Sequence, residues 1–263
     1  MTDAPAIIVT GASRGMGAAA ARRLAETGAA VTLFSRSEAA LDAVAGEIRT
    51  RGGRAIVVAS DVASRAACES AVEETIRTFG RLDAVVNNAG ILDPIARVAD
   101  MHPHAWSYNI EVNLNGPFFL IRAALPELRK RGGRVVNVSS GAAEKAIPGW
   151  SAYCAAKAAL THFTRILAAE EPEIVAVSLR PGVVDTAMQE AIREKGAAGM
   201  DADKLAYFRE LKAGGKLEPP DVPGRAMAWL ALHAPREWSG EFLDYDDPRI
   251  AGPAADFFGR SGD

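Results

Sequence analysis

Short runs of aliphatic and β-branched residues recur along this chain, separated by stretches with helical patterning, and that alternation restricts the fold more than any other feature. Runs at 6–10, 30–34, 55–59, 83–87, 134–139, 174–179 and 240–244 read as strands, and the longest helical stretches fall near 105–130 and 151–170. Val31-Thr-Leu-Phe34 and Arg134-Val-Val-Asn-Val138 are apolar nearly throughout, as strands covered on both faces must be. Strands that alternate with helices pair in parallel through right-handed crossovers. The expected fold is an α/β, doubly wound parallel sheet with helices on both faces. Ligands of such sheets bind beyond the carboxyl ends of the strands, near the switch point in strand order. Gly11, Asn88, Ser140 and Pro181 all follow strands there.

The first strand runs into Gly11-Ala-Ser-Arg-Gly-Met-Gly17 and then a helical pattern reaching Gly28. A helix N-terminus offers unpaired N–H groups and partial positive charge, so a diphosphate settles there if glycines let the backbone come close. Farther on, Tyr153 and Lys157 stand one helical turn apart in an Ala-rich helix, thirteen residues after Ser140. A free phenol titrates at about 10, and a neighbouring ammonium favours its ionised form. Such a pair is suited to acid/base work.

Taken in order, these motifs resemble a short-chain dehydrogenase/reductase, from residue 6 to about residue 248. Thr10-Gly-Ala-Ser-Arg-Gly-Met-Gly17 resembles the family's TGxxxGxG loop, and Asn87-Asn-Ala-Gly90 its NNAG segment. Asn113, Ser140, Tyr153 and Lys157 match its catalytic tetrad, and Pro181-Gly182 with Thr186 matches the loop flanking nicotinamide. The resemblance implies one Rossmann domain spanning 1–263 with strand order 3-2-1-4-5-6-7. It also implies coenzyme contacts from Gly11, Ser13, Arg14, Gly15, Met16, Gly17, Val62, Asn88, Ala89, Gly90, Pro181, Gly182, Val184 and Thr186, together with Tyr153 and Lys157. In the implied mechanism Ser140 hydrogen-bonds a substrate carbonyl and Tyr153 delivers its proton. Lys157 lowers the Tyr153 pKa and holds the nicotinamide ribose, while Asn113 anchors a water leading to Lys157.

Which coenzyme binds is decided after the second strand, where a carboxylate would hold a ribose 2′-OH and repel a 2′-phosphate. The chain reads Phe34-Ser35-Arg36 there, and Arg36 with Arg14 favours NADPH. Asp61 either contacts the adenine or caps a helix.

Features of the second half resemble sepiapterin reductases and benzil-type diketone reductases. They include Gly149-Trp-Ser-Ala-Tyr-Cys-Ala-Ala-Lys157, Met188-Gln189 and Ser239-Gly-Glu-Phe-Leu-Asp-Tyr245. The substrate region is expected at about 183–220 and 240–248. Ser140, Tyr153, Trp150 and Met188 would line it, although Trp150 and Met188 also suit a core. Asp244 would grip a pterin in the first group; in the second it would lack a cationic partner and only close the strand.

Composition excludes several other classes. A net charge of −3 over 263 residues gives no electrostatic footprint for nucleic acid or anionic membrane. Arg129-Lys-Arg131 precedes two glycines and reads as the end of a helix. No signal-like segment precedes the first strand, so a soluble cytoplasmic protein is expected. Cys68 and Cys154 form neither a disulfide framework nor metal spacing, and no metal is expected. The helix around Ala155-Ala-Lys-Ala-Ala159 permits close packing, and the resemblance implies a homodimer or homotetramer.

Gly11-Ala-Ser-Arg-Gly15 also matches a hydrolase G-x-S-x-G elbow, but it follows the first strand with no oxyanion loop before it and no evident histidine base. A protein that senses NADPH without catalysis typically lacks a tetrad member, and all four are here. The expected function is NADPH-dependent reduction of a ketone or vicinal dicarbonyl. An NAD(P)-dependent secondary-alcohol dehydrogenase is the alternative.

Overall fold

A computed structural model describes residues 4–259. Seven strands form one parallel sheet: β1 (Ala6–Thr10), β2 (Ala30–Ser35), β3 (Arg54–Ala59), β4 (Ala84–Asn87), β5 (Arg134–Val138), β6 (Val175–Arg180) and β7 (Phe242–Asp244). Their order is 3-2-1-4-5-6-7. β1 pairs with both β2 (Ile7↔Val31) and β4 (Ile7↔Ala84), so the order reverses beside β1 and opens the crevice at its carboxyl end.

Each face of the sheet carries a core, and the strand period of two decides which side chain serves which. Ile7 and Val9 join Leu24, Val31, Leu33 and Met227 under helices α1 (Gly15–Glu26), α2 (Glu38–Thr50) and α9 (Asp221–His233). Ile8 joins Phe34, Val85, Leu120, Val135 and Leu167 under α3 (Arg65–Phe79), α5 (Gly116–Arg131) and α6 (Ser151–Glu170). The interior strands β1, β2, β4, β5 and β6 are buried on both sides, which is why they lack polar alternation, whereas the edge strand β3 is largely half-buried.

The helical stretch near 105–130 is not one continuous α-helix. Helix α4 (Pro103–Ile110) passes into a π turn, Glu111–Asn115, before α5 begins. Pro117 at the start of α5 lacks an N–H, and the wider turn accommodates the break. Beyond β6, helices α7 (Ala187–Lys195) and α8 (Ala202–Ala213) pack over the carboxyl ends of the strands; α10 (Pro248–Phe258) ends the described chain. β7 spans only three residues, shorter than the run at 240–244, because Gly240 takes a positive φ (+90°) and leaves the strand to start later.

Candidate active site

Three of the four expected catalytic residues converge where β5 ends and α6 begins. Ser140 lies just past β5, and its Oγ accepts a hydrogen bond from Ala142 N (3.1 Å) at the head of a short 3-10 turn. Tyr153 and Lys157 project from the first two turns of α6 and are both buried. The Ser140 hydroxyl lies close enough to the Tyr153 phenol to favour its ionised form. Lys157 Nζ donates to Val138 O at 2.8 Å and lies 5.6 Å from the Tyr153 ring centroid, so the strand end fixes the lysine beside the tyrosine.

Burial governs the protonation of this pair. It pushes the Tyr153 phenol up to about 12, an effect only partly offset by the nearby Ser140 hydroxyl. The sequence-based expectation that Lys157 would lower the phenol is overridden by this desolvation. The same burial pulls the Lys157 ammonium down to about 8.

Asn113 sits in the π turn, fully buried. Its amide is committed within the fold: Nδ2 donates to Ile91 O (2.8 Å), Asn109 O (3.0 Å) and Asn109 Oδ1 (2.9 Å), and Oδ1 accepts from Ile91 N (3.3 Å). The side chain therefore organises the 91–93 loop, and Asn109, which the sequence reading missed, holds Leu92 and Asp93 carbonyls in the same way. The two asparagines are four residues apart on one helix face, which is the signal that could have found the second.

A buried polar ladder locks α6 to the sheet. Asn87 donates to Asn137 (2.8 Å), Asn137 to Thr164 (2.9 Å), Ser178 to Thr164 (2.8 Å), and Thr164 to Leu160 O (2.9 Å). Ser139 and Thr161 hydroxyls meet at 2.6 Å. Apart from Asn87, which opens the NNAG-like segment, these groups went unread in the sequence, although Asn87 and Asn137 are register partners on adjacent strands.

A groove of about 890 Å³ runs over the carboxyl ends of β1 to β4. Gly11, Ser13, Arg14, Gly15, Met16, Arg36, Asp61, Val62, Asn88, Ala89, Gly90, Thr186 and Met188 line it. Gly17, Pro181, Gly182, Val184, Tyr153 and Lys157 do not, although Lys157 Nζ stands against the lining at Gly90. A Cβ on Gly17 would lie 2.4 Å from Gly11 O and 2.5 Å from Asn88 Nδ2, so this glycine lets α1 pack onto the loop itself. Gly182, at φ +76°, lies under the Tyr245 ring, and Val184 is buried and bridges to Glu218.

The groove fits a dinucleotide. Arg14, the residue before α1, is extended and makes no side-chain cap, so the first N–H groups of α1 face the groove unclaimed by the chain's own side chains. Ser35 occupies the end of β2 without a carboxylate, and Arg36 follows it. Asp61 is not a helix cap. Ser64 caps α3, whereas Asp61 accepts from Ala63 N (2.9 Å) and from the Tyr108 hydroxyl (2.7 Å).

On the other side of Tyr153 lies an apolar wall. The Trp150 ring meets Tyr153 edge-on at 6.0 Å and stacks on Phe208 of α8 at 5.7 Å, in a cluster with Leu92, Ile95, Ile192 and Met200. Met188, half-buried, borders both this cluster and the groove. Asp244 is not isolated: Arg180 grips it through Nε and through Nη2 (2.7 Å), reaches Glu144 (3.0 Å) and covers the Phe242 ring. The carboxylate expected to lack a cationic partner outside a pterin site has one in the fold. Nothing in the motifs announced it, because the two residues are 64 positions apart.

The family model for short chain dehydrogenases matches residues 5–197. The benzil reductase ((S)-benzoin forming) of Saccharomyces cerevisiae is 36% identical over 256 residues, covering 93% of this chain and 97% of that protein. A crystal structure of a short-chain dehydrogenase/reductase from the same yeast superposes with a TM-score of 0.90 at 37% identity, covering 94% of this chain and 98% of its own. Actinorhodin polyketide ketoreductase, solved with NADPH, gives 0.82 at 26% identity, covering 92% and 95%. A groove at the switch point, a Ser-Tyr-Lys cluster whose lysine meets that groove's lining at Gly90, and these likenesses have one reading: the chain belongs to the short-chain dehydrogenase family of oxidoreductases.

Proposed function

We propose that the protein is an NADPH-dependent carbonyl reductase acting on vicinal dicarbonyls with an aryl substituent. One observation carries the reading: Ser140, Tyr153 and Lys157 gather beside the Trp150–Phe208 cluster, and Lys157 Nζ reaches the groove's lining at Gly90, 3.6 Å from where a Cβ would stand there. A bound nicotinamide coenzyme supplies the hydride. Ser140 orients the substrate carbonyl by donating to its oxygen, and Tyr153 passes its phenolic proton to that oxygen. The Lys157 ammonium, anchored on Val138 O, stabilises the tyrosinate left behind and holds ribose hydroxyls of the coenzyme.

NADPH is favoured over NADH by Arg36 and Arg14 along the groove and by Ser35 in place of an acid. The ketoreductase solved with NADPH agrees. Trp150 and Phe208 are buried, so the apolar surface offered to a flat aromatic ring is that of Met188, which they back at the edge of the groove. The diketone is favoured over a pterin because Arg180 already neutralises Asp244, and the likeness to a benzil reductase supports the same class.

The test is NADPH oxidation followed with benzil, 1-phenyl-1,2-propanedione and sepiapterin side by side. The diketones are expected to turn over with kcat/KM about five-fold above sepiapterin, the ratio expected when a half-exposed, two-pronged ion pair worth about 1 kcal/mol must be broken to admit the pterin. Preferential turnover of sepiapterin would overturn the substrate assignment and return Asp244 to the site.

A further inference from the structure

Tyr108 stands near the end of α4 and reaches across to the ends of β2 and β3. Its hydroxyl donates to Asp61 Oδ2 at 2.7 Å and accepts from Arg36 Nη1 at 3.1 Å. Arg36 and Asp61 both line the nucleotide groove. The two residues depend on the tyrosine unequally. Asp61 has a second anchor, Ala63 N–H on Oδ1 at 2.9 Å. Among the described residues, the hydrogen bond to Tyr108 is the one that holds Arg36.

We propose that Tyr108 is a positioning residue for coenzyme selection, its hydroxyl holding the Arg36 guanidinium ready for the 2′-phosphate; the inference rests on the NADPH reading above. An exposed arginine has many rotamers, and ordering it at the moment of binding costs conformational entropy. A hydrogen bond to Nη1 settles that beforehand and leaves the remaining N–H donors of the fork for a phosphate. The hydroxyl also stands between opposite charges. Without it, guanidinium and carboxylate are free to pair directly, and that pairing would occupy the donors the phosphate needs. Burial and the Asp61 carboxylate raise the Tyr108 phenol above its ordinary value, so it stays protonated and keeps donating at neutral pH. Tyr108 is 39% exposed, so losing one oxygen leaves the core intact.

The test is Tyr108→Phe, with the coenzyme fragments 2′,5′-ADP and 5′-AMP titrated by calorimetry and KM measured for NADPH and NADH. The dissociation constant of 2′,5′-ADP and the KM for NADPH should rise about five- to ten-fold, as expected for a lost charge-assisted contact. Values for 5′-AMP and NADH should stay within about two-fold, because Asp61 keeps its Ala63 anchor. In an Arg36→Ala background the same change should do nothing further to 2′,5′-ADP. An NADPH-preferring wild type whose preference survives Tyr108→Phe overturns this inference alone, as does equal weakening of both fragments, the mark of a merely structural tyrosine. A wild type binding 2′,5′-ADP no better than 5′-AMP overturns the NADPH reading and this inference with it.

Discussion

Desolvation acts on Tyr153 and Lys157 in opposite directions on the pH scale yet favours the neutral form of each. The phenol is held up at about 12 and the ammonium down at about 8, so the pair carries a full lysine charge only below pH 8. This sets the sign of the pH dependence. Raising the pH through 8 removes the Lys157 proton while Tyr153 remains a phenol, so the cation that stabilises the tyrosinate is lost although the proton donor is still present. Reduction should be level below pH 8 and fall above it, approaching ten-fold per pH unit. Rates that stay level to about pH 10 in stopped-flow assays at saturating coenzyme would contradict a lysine poised by burial. At this scale the grouping of Ser140, Tyr153 and Lys157 is foreseen in the sequence, from one helical turn of spacing and from the family resemblance. The direction of the tyrosine shift is not, because it depends on how completely the surrounding chain excludes water, which no local pattern records.

Helix α6 carries Tyr153 and Lys157, and its position against the sheet is set by polar contacts as well as by packing. Thr164 receives hydrogen bonds from Asn137 and Ser178 and returns one to Leu160 O, all fully within the core. Thr164→Val keeps the shape but strands both donors, which should cost about 2–4 kcal/mol for two unsatisfied buried groups. The denaturant midpoint should fall accordingly with the slope unchanged, and kcat should drop more than coenzyme affinity, since the groove is built from other elements. An unchanged midpoint would mean that the ladder contributes nothing. The elements themselves were largely legible, since apolar runs bounded by glycines became β1 to β7 within a residue or two. The π turn was not. It arises because Pro117 and the Asn109–Asn113 side chains together reshape one helix, a cooperation that periodicity does not encode. The Arg180–Asp244 pair escaped for a related reason: it links the ends of two neighbouring strands that are far apart in sequence.

Across the whole molecule, the parallel sheet delivers its functional groups to one edge. The carboxyl ends of β1 to β4 make the nucleotide groove, the end of β5 supplies Ser140, and α7 and α8 bring Met188 and Phe208 over the far side of Tyr153. Trp150 and Phe208, 58 positions apart, stack only because α8 folds back over the strand ends, so the apolar cluster beside Tyr153 was legible in the sequence only on its Trp150 and Met188 side. In the proposed mechanism the groove holds most of the coenzyme and Tyr153 delivers the proton, with Lys157 serving both, so the two tasks should separate on mutation of Tyr153. Tyr153→Phe removes the proton donor and leaves the groove, Lys157 and the Trp150 contact in place. Coenzyme binding and benzil-dependent NADPH oxidation measured side by side on this variant test the account most directly. The account predicts a fall in kcat of at least about a thousand-fold, consistent with loss of the general acid, with the dissociation constant for NADPH within about three-fold of wild type. Near-normal turnover by Tyr153→Phe would contradict it.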